Sequence, residues 1–109
     1  MAFNEGGSEG SLNGTTHVDV VAVPGSSTRR LVRNVHICNV DTVAHTITVF
    51  KNVAATRREL ARETLQPNEY WTFDTLVVLD ATDEKMEAVM AAAVTTTAPT
   101  FSSAYGDAS

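Results

Sequence analysis

Apolar and polar residues alternate at period 2 through much of the chain, and clusters of turn residues break the alternation at intervals. Residues 17–23, HVDVVAV, form the first clear run and end at Pro24-Gly25-Ser26-Ser27. Residues 29–39, RRLVRNVHICN, put Leu31, Arg33, Val35 and Ile37 on one face and Val32, Asn34, His36 and Cys38 on the other. Val35 and Ile37 read as core-directed. Arg33 interrupts their face, so the strand is expected to leave the core at its start. After the connection VDTVA, residues 45–51 alternate Ile47 and Val49 against Thr46, Thr48 and Phe50. Strand, short turn, strand predicts an antiparallel hairpin between these two runs.

Residues 57–65, RRELARETL, have helix-forming composition, but Leu60 and Leu65 are their only bulky apolar side chains and make no helical stripe. The reading leans to a polar strand, with a helix as the alternative. Gln66-Pro67-Asn68-Glu69 is a turn. Residues 70–79, YWTFDTLVVL, give Trp71, Phe73, Val77 and Leu79 one parity and carry the strongest strand signal. Their alternation assigns Trp71 and Phe73 to the core and Tyr70 to the opposite face. Residues 84–94, EKMEAVMAAAV, suit a helix by propensity. Period 2 fits equally, with Met86, Ala88, Met90, Ala92 and Val94 on one side. Residues 1–15 are rich in Gly, Ser, Asn and Glu and read as an arm. Residues 99–109 read as a tail in which Phe101 and Tyr105 are the possible anchors.

With 109 residues, one domain is expected, spanning residues 16–98 between the arm and the tail. The 14 Val and 15 Thr favour strands, because branched side chains suit a pleated surface. Short strands separated by turns at this spacing predict an all-β antiparallel sandwich or barrel. No apolar run approaches the roughly 20 residues that span a bilayer, and the N-terminus lacks a secretory pattern. A soluble protein made in the cytoplasm, with no membrane partner, is expected. The net charge of -5 makes a nucleic-acid backbone a poor partner. The single Cys38 excludes an intramolecular disulfide and a Cys-based zinc site.

Candidate chemistry is sparse. His17, His36 and His45 are too scattered to define a metal site, although His36 and His45 would approach one another if their strands paired. Cys38 reads as a buried, inert thiol and Asp41 as a turn former. Asp80, Asp83 and Glu84 read as ordinary turn acids rather than a calcium loop. No catalytic residue, metal or cofactor is expected.

One order of residues is distinctive. Arg33, Val35, Ile37, Asn39 and Asp41 are followed by His45, Thr46, Ile47, Thr48 and Val49. Leu65, Pro67 and Glu69 come next, then Leu76, Val78, Leu79, Asp83, Met86 and Ala88. Over residues 17–98 this resembles a class of small virion structural proteins of tailed bacteriophages. The resemblance implies a jelly-roll-like β-sandwich and a strand over residues 84–94, while the extended arm at 1–15 and the Arg-rich segment at 57–62 depart from its pattern. It also implies a location in the virion and a non-enzymatic role, first as a capsid decoration (cement) protein bridging capsomers. A neck or tail component is the alternative. The major capsid protein or another virion protein would be the partner, and the subunit would be a homo-oligomer, with a trimer plausible at a three-fold position. Arg29, Arg30, Arg57 and Arg58 are the candidate bases for an acidic capsid surface, and Phe3 and Leu12 the candidate arm anchors. A carbohydrate-binding sandwich is a further alternative, for which only Tyr70 or Tyr105 could supply an exposed aromatic platform.

Overall fold

The computed structural model describes residues 3–80 and 83–108. They form nine strands and no helix: β1 (Phe3–Ser11), β2 (Val18–Val21), β3 (Arg29–Cys38), β4 (His45–Val53), β5 (Thr56–Leu65), β6 (Tyr70–Phe73), β7 (Val77–Asp80), β8 (Glu84–Met90) and β9 (Thr100–Ala108). A five-stranded sheet runs β1-β9-β3-β6, with β7 also paired to β3, and a four-stranded sheet runs β2-β8-β4-β5. Every pairing is antiparallel. The chain changes sheet after β1, β2, β3, β5, β7 and β8. With β6 and β7 taken as two halves of one broken edge strand, that path is an eight-stranded jelly roll, and the expected antiparallel sandwich is what the residues form.

Alternation explains the core. Val35 and Ile37 of β3, Ile47 and Val49 of β4, and Met86, Ala88 and Met90 of β8 are buried between the sheets. Phe73, Val77 and Leu79 join them, with Trp71 packed at the margin. The helix-prone residues 84–90 are therefore a strand: three inward side chains at period 2 bury against both neighbours, which outweighs propensity. The strand stops at Met90, short of the expected residue 94. Residues 56–65 are the polar edge strand, whose exposed charges suit an edge that must not pair further.

Three expectations change. The run 29–39 does not keep one parity. A β-bulge at Arg33 lets Val32 pair with Tyr105 and Asn34 with Ala104, leaving Arg33 as the extra residue. Before the bulge Val32 faces the core and Leu31 does not; after it Val35 and Ile37 do. The second change concerns β3 and β4, which lie in different sheets and make no hairpin. Residues 39–44 are a corner between layers, and His36 and His45 do not come together through strand pairing. The hairpin is β4–β5 instead. Third, the expected tail is β9, an internal strand bonded to β1 on one side and β3 on the other. Phe101 is buried and Tyr105 packs against the core.

Residues 3–11, read as an arm outside the domain, are the edge strand β1 on β9 and so form part of the five-stranded sheet. The inward positions of β1 are Asn4, Gly6, Ser8 and Gly10, opposite Asp107, Tyr105, Ser103 and Phe101. A Cβ at Gly6 or Gly10 would come within 3.0 or 3.1 Å of the Tyr105 and Phe101 rings, so glycine lets the backbone cover both.

The β4–β5 hairpin turns on Ala54 and Ala55, with φ of 50° and 68°. Two positive φ values in a two-residue loop are the type I′ signature, which favours Asn-Gly. An L-residue with a Cβ resists this conformation by about 1 kcal/mol. Substituting Ala54→Asn together with Ala55→Gly is expected to stabilise the protein by about 1–2 kcal/mol, read as a rise in Tm of about 5–10 °C by calorimetry.

Candidate interaction surface

Two internal devices fix the ends of the sandwich. At one end Asn39 and Asp41 organise the corner between β3 and β4. Asn39 Nδ2 donates to the carbonyls of Val43 and Leu65, and its Oδ1 accepts from the Asp41 backbone N–H. The buried Asp41 carboxylate accepts the backbone N–H groups of Thr42, Thr95, Thr96 and Thr97 at 2.8–3.1 Å. Its Oδ2 also lies 2.7 Å from Nε2 of the buried His45. A carboxylate in such company only accepts, so Nε2 carries the hydrogen and donates. Burial alone would raise the Asp41 pKa. The bonds from His45 and from the backbone of Thr95, Thr42 and Thr96 prevail and hold it far below the usual carboxylate range. The residue read as a turn former thus ties the β3–β4 corner to the connection between β8 and β9.

At the other end Arg30 lies between the sheets. Its Nε and Nη2 donate to the two carboxylate oxygens of Asp107 at 2.7 and 3.0 Å, and Nη1 donates to the Ala22 carbonyl. The guanidinium sits 3.9 Å from the Tyr105 ring centroid. The bond to Asp107 raises the Arg30 pKa further above its ordinary value, against some desolvation. On the outer face of the four-stranded sheet, Glu87 accepts from Asn52 Nδ2 and Arg57 Nε. Burial pushes the Glu87 pKa up, but the bonds from Arg57 and Asn52 and the charge of Lys85 bring it below the usual range.

These contacts decide the expected interface residues. Arg30 and Leu12 are turned inward: Arg30 is spent on Asp107 and Ala22, and Leu12 is buried, with its N–H bonded to the Pro99 carbonyl. Leu12 anchors the arm to its own domain rather than to a neighbour. Phe3 pairs through its backbone with Ala108, and its side chain lies outside the described residues. Arg57 is half-exposed but held on Glu87, and Arg29 is exposed and paired with Asp80. Arg58 is exposed and makes no ion pair among the described residues. The two pairs lie on different sheets, so they do not form one basic patch. Asp80 and Glu84 are likewise engaged, with Arg29 and Lys51.

The outer face of the five-stranded sheet offers two surfaces. Around β7, Val78 pairs with Leu31, and the Arg29–Asp80 ion pair flanks them. Val78 is 44% exposed and Leu76, in the connection from β6, 64%. The bulge at Arg33 is what turns Leu31 outward, and simple alternation misses it. The second surface spans β1, β9, β3 and β6. The register sets out one row of Ser11, Thr100, Cys38 and Tyr70, and beside it a row of Glu9, Ser102, His36 and Thr72. Cys38 is therefore half-buried on an outer face, not part of the core, because it follows the outward parity of His36. Tyr70 lies on the face opposite Trp71 and Phe73, as alternation predicts. Among the described residues no group of three His, Cys, Asp or Glu side chains could hold a metal ion. In comparisons with known proteins, no family model, curated protein or solved structure matches the chain.

Proposed function

We propose that the protein is a non-enzymatic structural subunit of a tailed-phage virion, a decoration protein that bridges capsomers and raises the free-energy cost of opening the shell. The observation that carries this reading is the exposed apolar pair Leu76 and Val78, backed by the half-buried Leu31, beside Arg29 and Asp80. Uncovered branched side chains at a sheet edge, rimmed by charge, suit a protein partner. The buried cluster of Asn39, Asp41 and His45 supports it too: three residues that carry the resemblance are also the ones that lock the corner. A firm corner keeps a small sandwich rigid under load. Each copy can bind modestly, since repetition over symmetric positions multiplies the effect. The partner is the major capsid protein, and a trimer would suit a three-fold position. Arg58 is exposed for acidic partner groups, and the exposed Arg29 would have to exchange Asp80 for one, giving register more than affinity.

Quantitative mass spectrometry of purified particles tests the reading. On the order of hundreds of copies per particle is expected, and a dozen or fewer would move the subunit to the neck or tail. Failure to co-purify with particles would end both versions. The double variant Leu76→Asp, Val78→Asp alters only exposed positions, so it is expected to fold and yet to lose particle binding by about 100-fold or more.

A further inference from the structure

We infer that the second outer surface, over β1, β9, β3 and β6, is a binding groove for a neutral oligosaccharide, an activity separate from attachment to a particle. A groove of about 550 Å³ is lined by Glu9, Ser11, His36, Thr100 and Ser102 together with the backbone at Gly10 and Phe101. A second depression of about 270 Å³ shares Glu9 and Ser102 with it and continues along β1 and β9 past Gly7 and Ser8. The floor is low because the outward residues of β9 there are Thr100 and Ser102. One wall is His36, and an aromatic ring lies beyond it, outside the lining itself. Tyr70 is 70% exposed, and its ring lies 5.3 Å from that of His36. His36 Nδ1 lies 2.8 Å from Thr72 Oγ1, which fixes the imidazole against which the Tyr70 ring lies tilted by 38°. The other wall carries the Glu9 carboxylate.

This chemistry selects a ligand class. The hydroxyls of Ser11, Thr100 and Ser102 can donate and accept, and Glu9 accepts, which matches a ligand studded with hydroxyl groups. An aromatic face with a negative quadrupole receives the polarised C–H groups of a pyranose ring. Neither depression is lined by Lys or Arg, so a phosphorylated or sulfated ligand would meet Glu9 without a counter-charge. The length from Gly7 to Ser11 along β1, about 13 Å at strand rise, holds two to three sugar units. Tyr105, the other candidate platform, is covered by Arg30 and β1 and cannot serve.

The test is an amide NMR titration of the full chain with maltotriose, cellotriose and triacetylchitotriose, each to about 10 mM. At least one sugar is expected to shift the resonances of Glu9, His36, Tyr70, Thr100 and Ser102 with a Kd of about 1 mM. Tyr70→Ala and Glu9→Gln, both at exposed positions, are each expected to weaken that binding by about tenfold while leaving the rest of the spectrum in place. The inference is overturned by an unchanged spectrum with all three sugars, or by shifts that persist undiminished in both variants. The free subunit is used throughout, so this outcome and that of the particle measurement are independent.

Discussion

Replacing Asp41 with alanine is expected to lower the Tm on the order of 15 °C, or to abolish cooperative unfolding, although the residue sits in a connection rather than a strand. The substitution strips acceptors from four backbone N–H groups and from His45 Nε2 in one step. His45 is buried and its donor would be left unpaired, which costs more than the bond it loses, while the part-buried N–H groups of Thr42 and Thr95–Thr97 would lose an ionised acceptor. The connection 95–97 would also lose its tie to the corner, and it leads directly into β9. Asp41→Asn keeps the shape but removes the charge, and its amide brings donors where only acceptors fit. A smaller loss than for alanine is expected. The pH dependence separates the charge from the shape. The folded-state pKa of Asp41 is depressed, so its stabilisation is full above the unfolded value near 3.8. It fades as the pH falls below that value toward the folded pKa. The gap in urea midpoint between the native protein and Asp41→Asn should thus be constant from about pH 7 to pH 5 and narrow below about pH 4. A gap that does not narrow would mean that shape alone explains the loss.

The parts of the molecule legible in its sequence are those where one face is buried and alternation is unbroken. Ile47 and Val49, Phe73, Val77 and Leu79, and Met86, Ala88 and Met90 all occupy the core that period 2 assigns them. What escaped is set by irregularity or by distance. The bulge at Arg33 reverses the parity of Leu31 and Val32, and no local residue preference announces it. The Asp41 cluster joins residues more than fifty positions apart, so a turn-forming acid and an anchoring one look alike in the chain. Arg30 differs from Arg29 only in parity, yet one lies between the sheets and the other in solvent. The pairing of Tyr70 with His36 is half visible: alternation puts both on outward faces, but only the β3–β6 register brings them together. Among the candidate interface residues, Leu12 sits in its own core, and the polar residues around it in the chain give no sign of that.

The two ends of the chain, similar in composition, should respond very differently to removal. Deleting residues 100–109 is expected to leave an unfolded chain at 25 °C, whereas deleting residues 1–11 should leave a folded one with a Tm lower by about 5–10 °C. The reason lies in the sheet. β9 bonds to both β1 and β3, so its loss breaks two ladders and opens the middle of the five-stranded sheet. Phe101 goes with it, a side chain whose truncation alone costs about 3–5 kcal/mol. Ser103 Oγ, which donates to the Val20 carbonyl across the sandwich, and Asp107, which holds Arg30, are lost as well. Against a total stability of about 5–15 kcal/mol for a domain, that sum leaves nothing. β1 pairs with one neighbour, and between Asn4 and Ser11 it buries no apolar side chain; Leu12, which does, is retained. Circular dichroism with a thermal melt distinguishes the cases, a sigmoidal transition marking the folded variant and its absence the unfolded one. A cooperative melt after removal of residues 100–109 would show that the core closes without β9, and the jelly-roll order would then not be what stabilises the protein.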